Sequence, residues 1–126
     1  MKFAKYTLAA SLVLGSTFAV VGCKSTTENG VTSDYHAQWT QVAADPKTTT
    51  SAAESVLKSD DLQDVSSTST DVDGVTTGKK ADGTIVKVKV EKMDAGSQVS
   101  VTVGDLGDPA LGAQYAARIK AKAEGK

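Results

Sequence analysis

The 126-residue chain has one cysteine, one histidine and two prolines, and its aromatics are one tryptophan, three tyrosines and two phenylalanines. A lone cysteine excludes an internal disulfide, so no covalent staple supports the fold. With His36 as its one histidine, the chain is poorly equipped for a nitrogen-ligated metal site; on the polar side of a strand that residue is expected to be solvated. So few aromatics leave a core of valine, alanine, leucine and isoleucine, which makes a small and marginally stable interior. Neither sign of charge dominates, since 14 basic residues face 15 acidic ones for a net charge of −1. The absence of a polybasic tail argues against nucleic acid as a partner. No apolar run reaches membrane-spanning length. The longest, Thr7 to Val21, is about 15 residues, where a spanning helix needs ~20.

That run is nonetheless the most informative stretch. Lys2 and Lys5 precede or open it, Ala, Leu, Val, Gly and Ser fill it, and Val20-Val21-Gly22-Cys23 ends it. A basic part, an apolar part and a small residue before the end make an export leader. The last four residues resemble the lipobox of bacterial lipoproteins, in which the leader is cut before the cysteine and the cysteine is acylated. The resemblance implies a signal peptide over residues 1–22 and lipid on Cys23. A leader cut by the ordinary peptidase beside a stray cysteine is the plainer alternative. Acylation also accounts for a thiol that would otherwise be a liability in an exported chain, and several acyl chains anchor durably where one does so marginally. Lys24 follows the cysteine. In enteric-type sorting an aspartate there retains a lipoprotein in the inner membrane, so lysine resembles an outer-membrane address facing the periplasm.

Loss of residues 1–22 removes Lys2, Lys5, Phe3, Tyr6 and Phe18, leaving 104 residues, a net charge of −3, and Tyr35, Trp39 and Tyr115 as aromatics. From Cys23 to Ser33 the chain is polar and nearly free of large apolar side chains, which predicts a flexible tether; its ten residues after the cysteine reach about 35 Å at most. Residues 34–126 are expected to form a single small domain.

Within that domain, Asp34 to Gln41 alternates, with Tyr35, Ala37 and Trp39 expected on a buried face and His36, Gln38 and Thr40 on the polar one. Asp45-Pro46 predicts an N-cap and first helical position, and Ala53, Val56 and Leu57 give the helix a narrow apolar stripe. The Thr48-Thr49-Thr50 run predicts a weak first turn. Val65, Ser67 and Ser69 alternate in a weak strand ending at Asp71-Val72-Asp73-Gly74, and Val75 to Lys80 is a second strand closed by Ala81-Asp82-Gly83. Val86, Val88 and Val90 then alternate with Lys87, Lys89 and Glu91, and Val99, Val101 and Val103 lie on a partner strand beyond a turn at Asp94-Ala95-Gly96-Ser97. Asp108-Pro109 opens a last helix with Leu111, Tyr115 and Ile119 on one face and Arg118, Lys120 and Lys122 toward its C-terminal end. The expected fold is α+β: an antiparallel sheet of about four strands, in β-α-β-β-β-β-α order, with two helices on one face.

The lipobox, the run Ala81-Asp82-Gly83-Thr84-Ile85-Val86-Lys87-Val88 and the junction Val103-Gly104-Asp105-Leu106-Gly107-Asp108 together resemble a family of small uncharacterised bacterial lipoproteins. The resemblance spans about Tyr35 to Ile119, with the Gly-x-x-Gly-Asp junction as its most specific piece, and departs in the threonine-rich first helix. It implies fold and location and carries no catalytic or binding residue.

Chemistry-bearing patterns are few. Asp71-x-Asp73-Gly74 lacks the further oxygen ligands of a calcium loop and is expected to be a turn. Gly104-Asp105-Leu106-Gly107-Asp108 meets a helix N-terminus, where free N–H groups can hold an anion; Pro109 removes one donor and Asp108 would fill the place itself. Asp105 and Asp108 as an acid–base pair, and a Ser-His-Asp set around His36, are formally available, but nothing resembles a nucleophile elbow. An enzyme is not expected, nor a cofactor or metal. Lys79, Lys80, Lys87, Lys89 and Lys92 make the central strands basic. If Lys87 and Lys89 share a face, that surface is the first choice for meeting anionic lipid, lipopolysaccharide phosphates or an acidic partner, against the plainer role of keeping a sheet soluble. The expected function is a lipid-anchored envelope protein working as a structural or protein-interaction module. A small-ligand or envelope-polymer binding module, peptidoglycan included, is the alternative.

Overall fold

The computed structural model describes residues 25–26, 30–33 and 36–125. The leader, Cys23, Lys24 and Tyr35 lie outside the described residues.

Both prolines open helices. Helix α1 spans Pro46–Ser59, and the Asp45 carboxylate accepts from the Thr48 N–H at 3.0 Å. Helix α2 spans Pro109–Ala123, and the Asp108 carboxylate accepts from the Leu111 N–H at 3.1 Å. Each cap satisfies one orphan donor while the proline occupies a position whose N–H has no partner anyway. The threonine run in α1 is held rather than loose. The Thr50 hydroxyl donates to the Pro46 carbonyl at 2.7 Å, and Thr49 and Thr50 are both buried. Burial against the sheet outweighs the few tenths of a kcal/mol by which threonine disfavours a helix.

Seven strands form one antiparallel sheet among the described residues: β1 (Ser25–Thr26), β2 (Thr32–Ser33), β3 (Gln38–Val42), β4 (Gln63–Ser69), β5 (Asp73–Lys79), β6 (Ile85–Met93) and β7 (Gly96–Val103), in spatial order β1-β2-β3-β7-β6-β5-β4. From Gln38 onward the element order is the expected one, and both helices lie on one face. The sheet is wider than the expected four or so strands. Its first long strand, β3, pairs with the last, β7, from Gln38 opposite Val101 to Val42 opposite Ser97. The other extra width comes from the segment expected to be a tether. Thr32 and Ser33 pair with Trp39 and Gln38, Ser25 and Thr26 pair with Ser33 and Thr32, and Val31 is fully buried. A single valine and a free sheet edge are enough to recruit a polar segment whose composition alone favours disorder.

The β6–β7 hairpin has the expected register, with Val86 opposite Val103, Val88 opposite Val101 and Val90 opposite Val99. Its turn is tighter than expected: Asp94 and Ala95 alone connect the strands, since Met93 pairs with Gly96. All six valines are buried under the helices, together with Leu57 and Ile119. Helix α1 crosses β4, β5 and β6, α2 crosses β3 and β7, and the two helices touch. Each helix approaches the sheet at a position without a Cβ. A methyl at Gly74 would run into the Thr50 hydroxyl of α1, and one at Gly112 of α2 would run into the Gln38 side chain of β3.

That last contact corrects the sequence reading of β3. Gln38 and Thr40, expected outward, are buried facing the helices, while Trp39, expected in the core, is half-buried on the opposite face. Pairing decides this, because Gln38 and Thr40 stand opposite the buried Val101 and Val99. A buried donor of each finds a partner in the N-terminal segment. Thr40 Oγ1 donates to the Gly30 carbonyl at 3.1 Å, and Gln38 Nε2 donates to Ser33 Oγ at 3.2 Å.

Candidate functional site

Covering one face of the sheet leaves the other open, and period-2 alternation dictates what it displays. Strand β6 sends Val86, Val88 and Val90 inward and Lys87, Lys89 and Glu91 outward, all three exposed. Cross-strand pairing assembles the outward residues into rows. One row runs Trp39, Ser100, Lys89, Val75 and Thr68 across β3, β7, β6, β5 and β4. The next runs Thr102, Lys87, Thr77 and Ser66, and beyond it Ile85 stands opposite Lys79. At the other end, Glu91 lies between Gln98 and Asp73. The face is thus a field of hydroxyls and amides, basic toward one end and acidic toward the other.

Lys87 and Lys89 do share this face, about 7 Å apart along the strand. Neither their side chains nor that of Lys79 has an ion pair or hydrogen bond among the described residues. On the helix side four of the cations are used structurally, while Lys122 of α2 has no ion pair among the described residues. Lys47 reaches Asp71 at 3.3 Å, Lys58 reaches Glu54 at 2.6 Å, Arg118 reaches Asp60 at 2.8 Å and Lys120 reaches Glu124 at 2.9 Å.

The other residues singled out from the sequence are placed apart from this face or absorbed by local structure. His36 is exposed ahead of β3. Asp73 accepts from the Thr70 hydroxyl at 2.8 Å, and that hydroxyl in turn accepts from the Val72 and Asp73 N–H groups, so the Asp71–Gly74 stretch is a turn running into β5. Among the described residues no three His, Cys, Asp or Glu side chains gather where they could hold a metal ion. At the junction before α2, Gly104 and Gly107 adopt φ of +73° and +82°, which only glycine takes easily. The Asp108 carboxylate is spent on its helix cap, and Asp105 stays exposed. The two do not form a shared site.

One cluster escaped the sequence reading. Arg118 of α2 donates to the Asp60 carboxylate at 2.8 Å and to Ser59 Oγ at 3.1 Å, and its guanidinium lies 5.9 Å from the Tyr115 ring centre. The hydrogen bond from Arg118 holds the Asp60 carboxyl below its usual range. Burial, aided by the Asp60 charge, pushes the Tyr115 hydroxyl up to about 12. The cluster ties the end of α1 to α2. Nothing in the local sequence joins residues 58 positions apart; only packing does.

Concavities are shallow. A groove of about 750 Å³ lies at one end of β5 and β6, lined by Asp73, Val75, Lys89, Glu91 and Met93 among others. No helix among the described residues is long and apolar enough to cross a membrane.

The site and the fold therefore define a small two-layer α+β protein whose distinguishing feature is an uncovered, lysine-bearing sheet face. The chain belongs to the family described as protein of unknown function, DUF3568, which matches residues 5–122. A comparison with curated proteins found no match.

Proposed function

We propose that this chain is a lipid-anchored protein of the bacterial cell envelope, held by acylated Cys23 and acting as an interaction module close to the membrane. The observation that carries the proposal is Val20-Val21-Gly22-Cys23 closing an apolar run of leader length. Two further observations support it. The family match begins at residue 5 and so takes in this segment. Among the described residues the first strand, β1, begins at Ser25, two positions past Cys23 in the sequence. On this reading the site is the outer membrane's periplasmic side, as Lys24 suggests, and the mechanism is tethered recognition, in which the anchor raises the effective concentration near membrane-bound partners. No catalytic role, cofactor or nucleic-acid partner is part of it.

A second reading, an envelope-polymer or small-ligand binding module, is favoured by one observation: Lys87 and Lys89 stand side by side with no ion pair among the described residues. In cells fed a labelled fatty acid, the native chain is expected to incorporate label and the Cys23→Ser chain none. An unlabelled native chain would sink the anchor. Crosslinking in the same cells separates the two readings: an envelope protein captured only by the anchored form supports the first, and glycan or lipid without protein supports the second.

A further inference from the structure

We propose that the open sheet face is a membrane-lying surface: Lys79, Lys87 and Lys89 meet the phosphates of anionic lipid headgroups, Trp39 sits in the interfacial layer, and the domain rests face-down on the bilayer. The orientation deepens the anchored reading above and rests on it, while the affinity of the face for anionic lipid stands independently.

Position comes first. Strand β1 starts two residues past Cys23, at most about 7 Å of extended chain, and β1 heads the strand order. An acylated Cys23 would therefore hold this edge of the sheet at the bilayer. From β1, the lysine-bearing strand β6 is four strands along, about 19 Å at the usual spacing. A sheet standing upright on its β1 edge would hold Lys87 and Lys89 about that far from the headgroups, well beyond the ~8–10 Å over which charge is felt at physiological salt. A sheet lying on its open face brings them into contact. The helix face is the other choice, and there Lys47, Lys58, Arg118 and Lys120 are each engaged by a carboxylate of the chain itself, which leaves Lys122 alone outside an ion pair.

The chemistry of the face fits the same occupant. Three lysines on two adjacent strands, in a chain of net charge −1, have no acidic partner among the described residues. Ser100, Thr102 and Thr77 surround them with hydroxyl groups that can donate to phosphate oxygens. The face's own acids, Asp73 and Glu91, pair in the row next to that of Lys89, on the side away from Lys87 and Lys79, so the basic end of the face holds the lysines alone. Trp39 lies on the anchored side of the lysines, half-buried; an indole with one wet edge is the side chain that bilayer interfaces favour. A broad surface spread over five strands, with no deep groove, suits a plane of headgroups better than a protein knob.

Trp39 is the chain's one tryptophan, so its fluorescence reports this face alone. The test mixes the full chain with vesicles of phosphatidylcholine, with or without phosphatidylglycerol, whose acyl chains carry bromine to quench nearby indoles. Anionic vesicles are expected to shift Trp39 emission to the blue and quench it, while neutral vesicles leave it unchanged even when the protein sediments with them through its N-terminal segment. Reversing two lysines, Lys87→Glu with Lys89→Glu, is expected to weaken partitioning by tenfold or more, given about fivefold for each lysine at an anionic surface. Lys87→Gln with Lys89→Gln serves as the milder variant if the reversal perturbs folding. Unchanged Trp39 emission on anionic vesicles overturns the proposal, and so does an equal response from the lysine variants. A lysine-dependent capture of an acidic protein, with vesicles silent, overturns it in favour of a protein partner. Failure of Cys23 labelling would remove the anchor and the orientation it imposes but leave the vesicle result intact, so the two readings fail separately.

Discussion

The same five long strands build both faces of the sheet, yet the two faces obey different rules. Inward, β6 and β7 present six fully or nearly fully buried valines, and each helix needs a glycine at its closest approach. Outward, the alternate positions of the same strands hold lysine, serine, threonine, glutamine and glutamate. On the covered side the valines are buried in one cluster with the helix residues, so residue volume is constrained and charge is excluded. On the open side packing constrains little, and unpaired lysines there need a reason other than stability. A purely solubilising role would be met as well by alternating signs, as on the helix side, where four of five cations have an acidic partner and Lys122 is the exception among the described residues. The contrast is what makes the open face the candidate for function.

Three changes test the contrast, in descending order of effect. Leu57→Ala, at a fully buried position of α1 beneath which the valine stripe lies, is expected to cost about 2–5 kcal/mol in chemical denaturation. A cost under about 1 kcal/mol would mean that the two layers are not packed as described. Smaller, and dependent on pH, is the contribution of Tyr115. Its hydroxyl is raised to about 12 in the fold from an ordinary value of 10.0. The neutral form is thus favoured by folding; the stabilisation is fully present below pH 10 and is lost as pH rises toward about 12. The loss amounts to about 2 kcal/mol. Ultraviolet titration should show one tyrosine ionising late, and Tyr115→Phe should remove that late step and flatten the alkaline fall in stability. A Tyr115 that ionises with the other tyrosines would show that its hydroxyl is not buried beside Asp60 as described.

Least of all in stability, Lys87→Glu with Lys89→Glu is expected to stay within about 0.5 kcal/mol of the native chain, because exposed changes away from caps and cores are nearly neutral. A large destabilisation would show that the lysines serve the fold after all. Stability unchanged with anionic-vesicle binding lost would sharpen the division between a face that folds and a face that binds.

How much of this was legible beforehand varied with the range of the interactions involved. The Asp-Pro pairs, the Val-Lys alternation of β6, the turns at Asp82-Gly83 and before α2, and the stripe Leu111, Tyr115, Ile119 are set by neighbours within four residues, and all are placed as the pattern implies. The shared outward direction of Lys87 and Lys89 follows from the same period. Strand β3 departs from its pattern because aromatic residues usually mark the buried side, and here Trp39 lies on the open one. Its inward residues, Gln38 and Thr40, are polar and find their partners in Ser33 and Gly30, on a segment whose composition suggests a tether.

Local chemistry in the chain, then, determined the elements, their order, their caps and the lysine stripe, because hydrogen bonds and side-chain alternation over a few residues suffice for each. Only the tertiary structure decided which face of β3 is buried, that the segment around Val31 joins the sheet, that Arg118 closes on Asp60 across 58 positions, and that one sheet face stays open. Each of those depends on pairing register and helix cover between distant parts of the chain, where burying valine against helix outweighs the preferences of any single stretch.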